Sequence, residues 1–218
     1  LIRSRGLGDV YKRQLLVKGS ALSRNPGDFV PYDTETAANL IADLKEIVPP
    51  YVRIQRIQRD IPKPQIIAGV MNSNLRQYAR RELKARGKKC NCINCRELWR
   101  AQIDPSTAEL KEVKYKSSGG EEYFLSYESG TKLLGYLRLR LDDNATVREL
   151  KVTGQAANIG KTGTGVQHMG LGSKLMKIAE EKARAYSKIR VTHGPGTRLY
   201  YEKLGYKLQD YYMVKEIS

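Results

Sequence analysis

Between residues 34 and 48 apolar side chains recur at helical spacing, with Leu40, Ile41, Leu44, Ile47 and Val48 on one stripe. Asp33 or Thr34 opens this predicted helix, Thr34 serving as N-cap, and Pro49-Pro50 stops it. Ahead of it lie a short apolar strand, Leu15-Leu16-Val17, and a loop rich in Gly, Ser, Asn and Pro. Val52, Ile54 and Ile57 indicate a strand or extended segment before Pro62 and Pro64, and residues 74–86 read as a basic helix ended by Gly87. The pattern then changes. Residues 121–128 and 132–141 alternate apolar and polar positions around Ser129-Gly130, which predicts a hairpin. Residues 147–152 form a further strand, and the glycine-rich stretch 154–166 is a loop. Residues 172–186 make an amphipathic helix with Leu175, Met176, Ile178, Ala179, Ala183 and Tyr186 inward. A buried strand at 189–192, a helix at 197–204 capped by Gly205 and a strand at 206–215 close the chain. This order predicts an α/β (α+β mixed) domain over 105–218, a twisted mixed sheet flanked by helices, behind a small basic helical segment. Residues 1–14 set up no period and are read as a leader foreign to the fold.

Composition narrows the classes. The 218 residues are 40% hydrophobic with a mean hydropathy of −0.54, enough for a core and too polar for membrane spans. No run approaches the roughly 18–20 apolar residues of a membrane helix, and no charged-then-apolar leader reads as a secretion signal. A cytoplasmic protein without a membrane partner is expected. The net charge is +16, and residues 51–100 supply most of it, with thirteen basic and three acidic side chains. Arg53, Arg56, Arg59, Lys63, Arg76, Arg80, Arg81, Lys84, Lys88 and Lys89 lie in this block, the first three at a spacing of three. Such a concentration attracts a polyanion in a salt-dependent way, and a nucleic acid is the expected partner.

Gln167-His168-Met169-Gly170-Leu171-Gly172, followed by Ser173, stands between the glycine-rich loop and the amphipathic helix. Glycines there let the backbone approach a ligand, and the first turn of a helix offers N–H groups to an anion. No Gly-Lys-Ser/Thr follows, so this is not a nucleotide P-loop. Q-x-x-G-x-G at such a junction resembles the diphosphate-binding signature of the GNAT acetyltransferases, where it holds coenzyme A.

The resemblance extends along most of the chain. Val52 to Pro64 (VRIQRIQRDIPKP), Asn74-Leu75-Arg76, and the run Cys90-x-Cys92-Ile-x-Cys95-Arg96-Glu97 are similar to the catalytic subunit of Elongator, in the tRNA uridine acetyltransferase family. Phe124-Leu125-Ser126-Tyr127-Glu128, Leu137-Arg138-Leu139-Arg140, Arg148-Glu149-Leu150 and Gly196-Thr197-Arg198 with Tyr200-Tyr201 continue the match. Lys151-Val152-Thr153-Gly154 stands where the family more often has His-Val-Tyr-Gly, and His193-Gly194-Pro195 also departs from its pattern. The resemblance implies a radical-SAM remnant over 15–89, a cysteine-rich zinc linker over 90–104 and a GNAT-like domain over 105–218. The family's iron–sulfur motif needs three further cysteines. This chain has none, so no complete iron–sulfur or S-adenosylmethionine site is expected in it.

Three cysteines at spacings of two and three suit Zn²⁺, which takes thiolate ligands, although a fourth ligand is not evident. In the resembled family the cluster is a structural zinc site. A GNAT enzyme holds its thioester beside a strand, so Leu150, Val152 and Tyr200 are expected against acetyl-CoA together with residues 167–173. Tyr200 and Tyr201 are candidates for contacting the sulfur, one facing the cofactor and the other packing. Glu149 is the candidate base or water-orienting residue, with Lys151 sharing its face. The implied activity is tRNA-stimulated acetyl-CoA hydrolysis within wobble-uridine modification. A separate radical-SAM chain or Elongator-like subunits are the implied partners. The competing readings are a GNAT lysine acetyltransferase of proteins, which the +16 charge disfavours for basic tails, and a noncatalytic RNA-binding module.

Overall fold

The computed structural model describes residues 14–98, 103–153 and 170–217. It divides into two compact units, one running to Cys95 and the other starting at Arg96.

The first unit contains β1 (Leu15–Val17), α1 (Ala21–Arg24), α2 (Thr34–Ile47), β2 (Ile66–Gly69) and α3 (Leu75–Ala85), and α4 (Ile93–Arg96) follows the first two cysteines. β1 and β2 pair antiparallel. Gly69, at φ +107°, passes so close to the Gln14 carbonyl that a Cβ would lie 2.0 Å from its oxygen, so only glycine fits. Gln14 is itself buried and donates to the Ile57 carbonyl at 2.6 Å. It belongs to the fold, not to the leader in which the sequence places it; residues 1–13 lie outside the described residues.

The N-cap of α2 is Asp33, not Thr34: its carboxylate accepts from the Thr36 N–H at 2.7 Å. The buried stripe is also rotated from the expected one. It comprises Ala37, Ala38, Ile41, Ala42 and Lys45, while Ile47 is half exposed. Small side chains let α2 approach Leu75 and Ala79 of α3 closely, and the larger Leu40 and Leu44 flank that contact. The segment 52–57 forms no strand, yet Ile54 and Ile57 are buried in the same core.

The second unit is a seven-stranded sheet. Its strands are β3 (Glu109–Ser117), β4 (Gly120–Ser129), β5 (Lys132–Leu141), β6 (Ala145–Val152), β7 (Lys188–Thr192), β8 (Lys207–Gln209) and β9 (Tyr212–Glu216). They lie in the order β3-β4-β5-β6-β7-β9-β8, antiparallel except for the β6–β7 pair. Helix α5 (Leu171–Lys182) links β6 to β7, and α6 (Arg198–Lys203) follows β7. The mixed α/β architecture is the expected one. β3 escapes the alternation pattern because it is an edge strand with mostly exposed side chains. The single strand expected at 206–215 is a hairpin, turning at Asp210 with φ +51°. Leu175, Met176 and Ala179 of α5 pack on Leu125, Leu137, Leu139 and Val147. Among the described residues no helix is long and apolar enough to cross a membrane.

Candidate functional site

β6 and β7 run together only briefly. They pair in parallel over Ala145–Val147 opposite Ile189–Val191. Immediately beyond, the β5–β6 register shifts: Arg138 faces Glu149 and Leu139 faces Val147, so Arg148 is an extra, bulged residue. From that bulge β6 follows β5 to Val152, and its other edge has no partner strand among the described residues. The sheet therefore opens between two parallel strands and leaves main-chain groups of 148–152 to be satisfied by something else.

The N-terminus of α5 carries the complementary chemistry. Gly170 caps it in the left-handed conformation, φ +65°, which an L side chain rarely adopts. The helical ladder begins with the Lys174 N–H on the Gly170 carbonyl at 2.9 Å, so the amides of Leu171, Gly172 and Ser173 have no intrahelical acceptor. Together with the helix dipole they favour an anion. Leu171 is buried against Val152, Leu134 and Leu98, which fixes this turn beside the end of β6. A Cβ at Gly172 would lie 2.6 Å from the Tyr200 hydroxyl and 3.7 Å from Val152 Cγ2, so glycine lets that hydroxyl sit over the turn. Gln167, His168 and Met169 lie outside the described residues.

The two tyrosines divide as helical spacing requires. Tyr201 is 5% exposed, lies in the core, and packs edge-to-face on Tyr206; burial pushes its phenol up to about 12. Tyr200 reaches the first turn of α5. Burial raises its phenol above the usual value, against a smaller opposing effect of a hydrogen bond with Ser173. The group is thus a protonated donor at neutral pH, next to the anion-seeking turn.

Leu150 and Val152 pack on the α5 side of the sheet. Glu149 alternates with them and projects from the opposite face. There the Tyr136 hydroxyl donates to one of its oxygens and Arg138 Nε to the other, at 3.0 Å for Arg138. The structure does not bring Glu149 to the turn, and each of its oxygens already accepts a hydrogen bond. Lys151 shares its face, as expected, and donates to the buried Glu97 at 2.7 Å. On this face burial alone would raise Glu122, but donation from Tyr115, Arg148 and Arg140 outweighs it and leaves the carboxyl lowered. Glu128 behaves alike: burial opposes, and Arg96 and Ser126 prevail. These pairs escaped the sequence reading, because ordinary charged residues on strands carry no mark of burial.

In the first unit Cys90, Cys92 and Cys95 place their sulfurs within 4.8 Å of one another. Tetrahedral zinc with Zn–S near 2.3 Å wants sulfurs about 3.8 Å apart, so three ligands fit after slight closure. Among the described residues no histidine or carboxylate joins them. The three cysteines could bind a metal ion. Lys45, fully buried, puts its Nζ 3.4 Å from Cys95 Sγ. Hydrogen bonds from Cys90 and Cys92 lower the Cys95 thiol, and the Lys45 charge adds to them against burial. Sequence reasoning missed Lys45; the signal was its place four residues after Ile41 on the buried stripe.

The basic block sorts by exposure. Arg56, Arg59, Lys63, Arg80, Arg81, Lys84 and Lys89 are exposed. Arg53 is partly buried, and Lys88 pairs with Glu46 at 2.7 Å. Arg76 turns inward, donating to the Ile54 and Gln55 carbonyls at 3.4 and 2.7 Å, and is a structural clasp rather than a surface cation.

A mixed sheet that opens at its parallel pair beside a glycine-capped helix is the architecture that defines this domain. The chain belongs to the acetyltransferase (GNAT) family, which matches residues 93–206; the Radical_SAM C-terminal domain matches residues 14–85. The chain is 39% identical over 227 residues to the tRNA uridine(34) acetyltransferase of Dehalococcoides mccartyi, covering 94% of itself and 49% of that protein. Elongator complex protein 3 of Homo sapiens is 38% identical over 227 residues, with 94% and 42% covered. A solved structure of the archaeal Methanocaldococcus infernus Elp3 with an N-terminal deletion superposes with a TM-score of 0.83 at 38% identity, covering 93% of this chain and 53% of that one. The family resemblance read from the motifs is thus the relationship found. The chain spans about half the length of these curated relatives or less.

Proposed function

We propose that this chain binds acetyl-CoA and tRNA and hydrolyses the thioester when tRNA is bound, as part of uridine modification in the cytoplasm. The opening of β6 from β7 beside the amides of Leu171, Gly172 and Ser173, which have no acceptor within the helix, carries this reading. The amides would hold the diphosphate, residues 167–169 would complete the loop, and the open β6 edge at Leu150 and Val152 would pair with the amide-bearing arm of the carrier. Tyr200 is the proton donor: as the C–S bond breaks and a water oxygen joins the acetyl carbon, the phenol hands its proton to the departing sulfur. The proton released by the attacking water returns through solvent, since Glu149 lies on the other face. Tyr201 supports Tyr200 edge-to-face at 5.1 Å. The exposed cations of the first unit hold the RNA backbone, and Cys90, Cys92 and Cys95 bind a structural zinc ion.

Acetyl-CoA hydrolysis measured with and without tRNA tests the proposal. Stimulation by tRNA supports it. Lysine acetylation of proteins without RNA would favour an amine acetyltransferase, and RNA binding without turnover a noncatalytic module; either overturns it.

A further inference from the structure

We propose that Lys45 is the charge partner of the cysteine metal site, an inference that rests on the zinc reading above. Its ammonium holds the Cys95 sulfur and helps retain the ion. Lys45 is fully buried on α2, flanked on the same stripe by Ala38, Ile41 and Ala42, so its stem has little freedom to leave. An ammonium removed from water requires an anionic or strongly accepting partner. Among the described residues no carboxylate pairs with Lys45, and its hydrogen bond is to Cys95 Sγ at 3.4 Å, within range for sulfur. The cluster supplies what the lysine lacks. Three thiolates around a divalent cation leave one negative charge, and a partly buried site of that charge is stabilised by a single neighbouring cation. The same contact fixes the Cys95 side chain toward the other two sulfurs. Groups that orient and neutralise ligands from outside the coordination sphere commonly change metal affinity ten- to a hundred-fold when removed. The rotated stripe of α2 then has a reason: a lysine stands in a core position because its head group faces thiolates rather than hydrocarbon.

The test uses the full chain purified with zinc, and its K45M variant, which keeps the stem's length and removes the charge. Metal content is read by mass spectrometry, zinc release by a chromogenic chelator, and folding by circular dichroism. The expected result is a stoichiometric zinc ion in the wild type and at least ten-fold faster release from folded K45M. A wild-type protein without zinc would overturn the zinc reading itself. Zinc in both proteins with release rates within two-fold would leave that reading standing and overturn the role of Lys45. Labelling of wild-type lysines by acetic anhydride supplies a second readout that does not depend on K45M folding. Stripping zinc is expected to raise labelling of Lys45 at least five-fold while exposed lysines stay constant, and unchanged labelling of Lys45 would count against the proposal.

Discussion

Replacing Gly172 by alanine probes the contact on which the catalytic assignment of Tyr200 depends. The new Cβ would lie 2.6 Å from the phenol oxygen, 3.5 Å from Tyr200 Cζ and 3.7 Å from Val152 Cγ2, so only the hydroxyl is too close. Tyr200 is 37% exposed, and its ring yields by swinging outward. That movement breaks the Ser173 hydrogen bond, worth about 1 kcal/mol, and loosens the edge-to-face contact with Tyr201, worth about 0.5–1.5 kcal/mol. Alanine in a helix gains about 1 kcal/mol over glycine, so G172A alone should end between neutral and about 1.5 kcal/mol less stable. In a Y200F background the offending oxygen is gone and the remaining contacts are ordinary. There the same substitution should stabilise by up to about 1 kcal/mol. The coupling is therefore about 1–2.5 kcal/mol, beyond the roughly 0.3–0.5 kcal/mol within which independent sites add. Urea unfolding of the four proteins by circular dichroism measures it. Additive effects would refute the placement of Tyr200 over α5, and with it the proton-donor assignment.

Other consequences follow from the charged face and the basic block. Arg96 and Glu128 form an ion pair with side chains 7% and 8% exposed, so E128Q or R96M alone should cost about 3–5 kcal/mol. The double variant should recover most of that loss, and undiminished destabilisation in it would show the pair is not what the singles break. Glu122 and Glu128 are both lowered from an ordinary value of 4.5, so their contribution to stability is complete above that pH and disappears as pH falls through their lower folded-state values. Melting temperature followed downward from pH 6 should therefore drop below about pH 4.5, less steeply in E122Q; an identical profile would remove Glu122 from the account. R80A and K84A should each reduce the slope of log affinity for tRNA against log salt by roughly 0.7–0.9, while R76A should lower stability and leave the slope unchanged. A slope change with R76A would contradict its role as a clasp.

How far the sequence reached depended on which property it exposes. The β4–β5 hairpin was legible because alternation and Ser129-Gly130 agree, and the basic helix because its periodicity ends at Gly87. The glycine-capped start of α5 was legible because glycine at such a junction has few other uses. The opening between β6 and β7 was not, since it follows from a bulge at Arg148 that nothing in the local pattern marks. Glu149 looked like a base because it lies on the right strand; only the alternation with Leu150 and Val152, anchored to α5 by packing, shows that it faces the other way. Lys45 was hidden for the opposite reason. A lysine on an apolar stripe is ordinarily read as a stripe's edge, and its burial becomes intelligible once Cys95, fifty residues later, is placed beside it.

The central claim is that the first turn of α5 and the open edge of β6 together seat acetyl-CoA. Amide hydrogen exchange of the full chain, with and without saturating acetyl-CoA, tests it residue by residue. Protection is predicted at Leu171, Gly172 and Ser173 and along 148–152, accompanied by heat of binding in a calorimetric titration. Unchanged exchange in both segments, or protection confined to the unit that ends at Cys95, would contradict it.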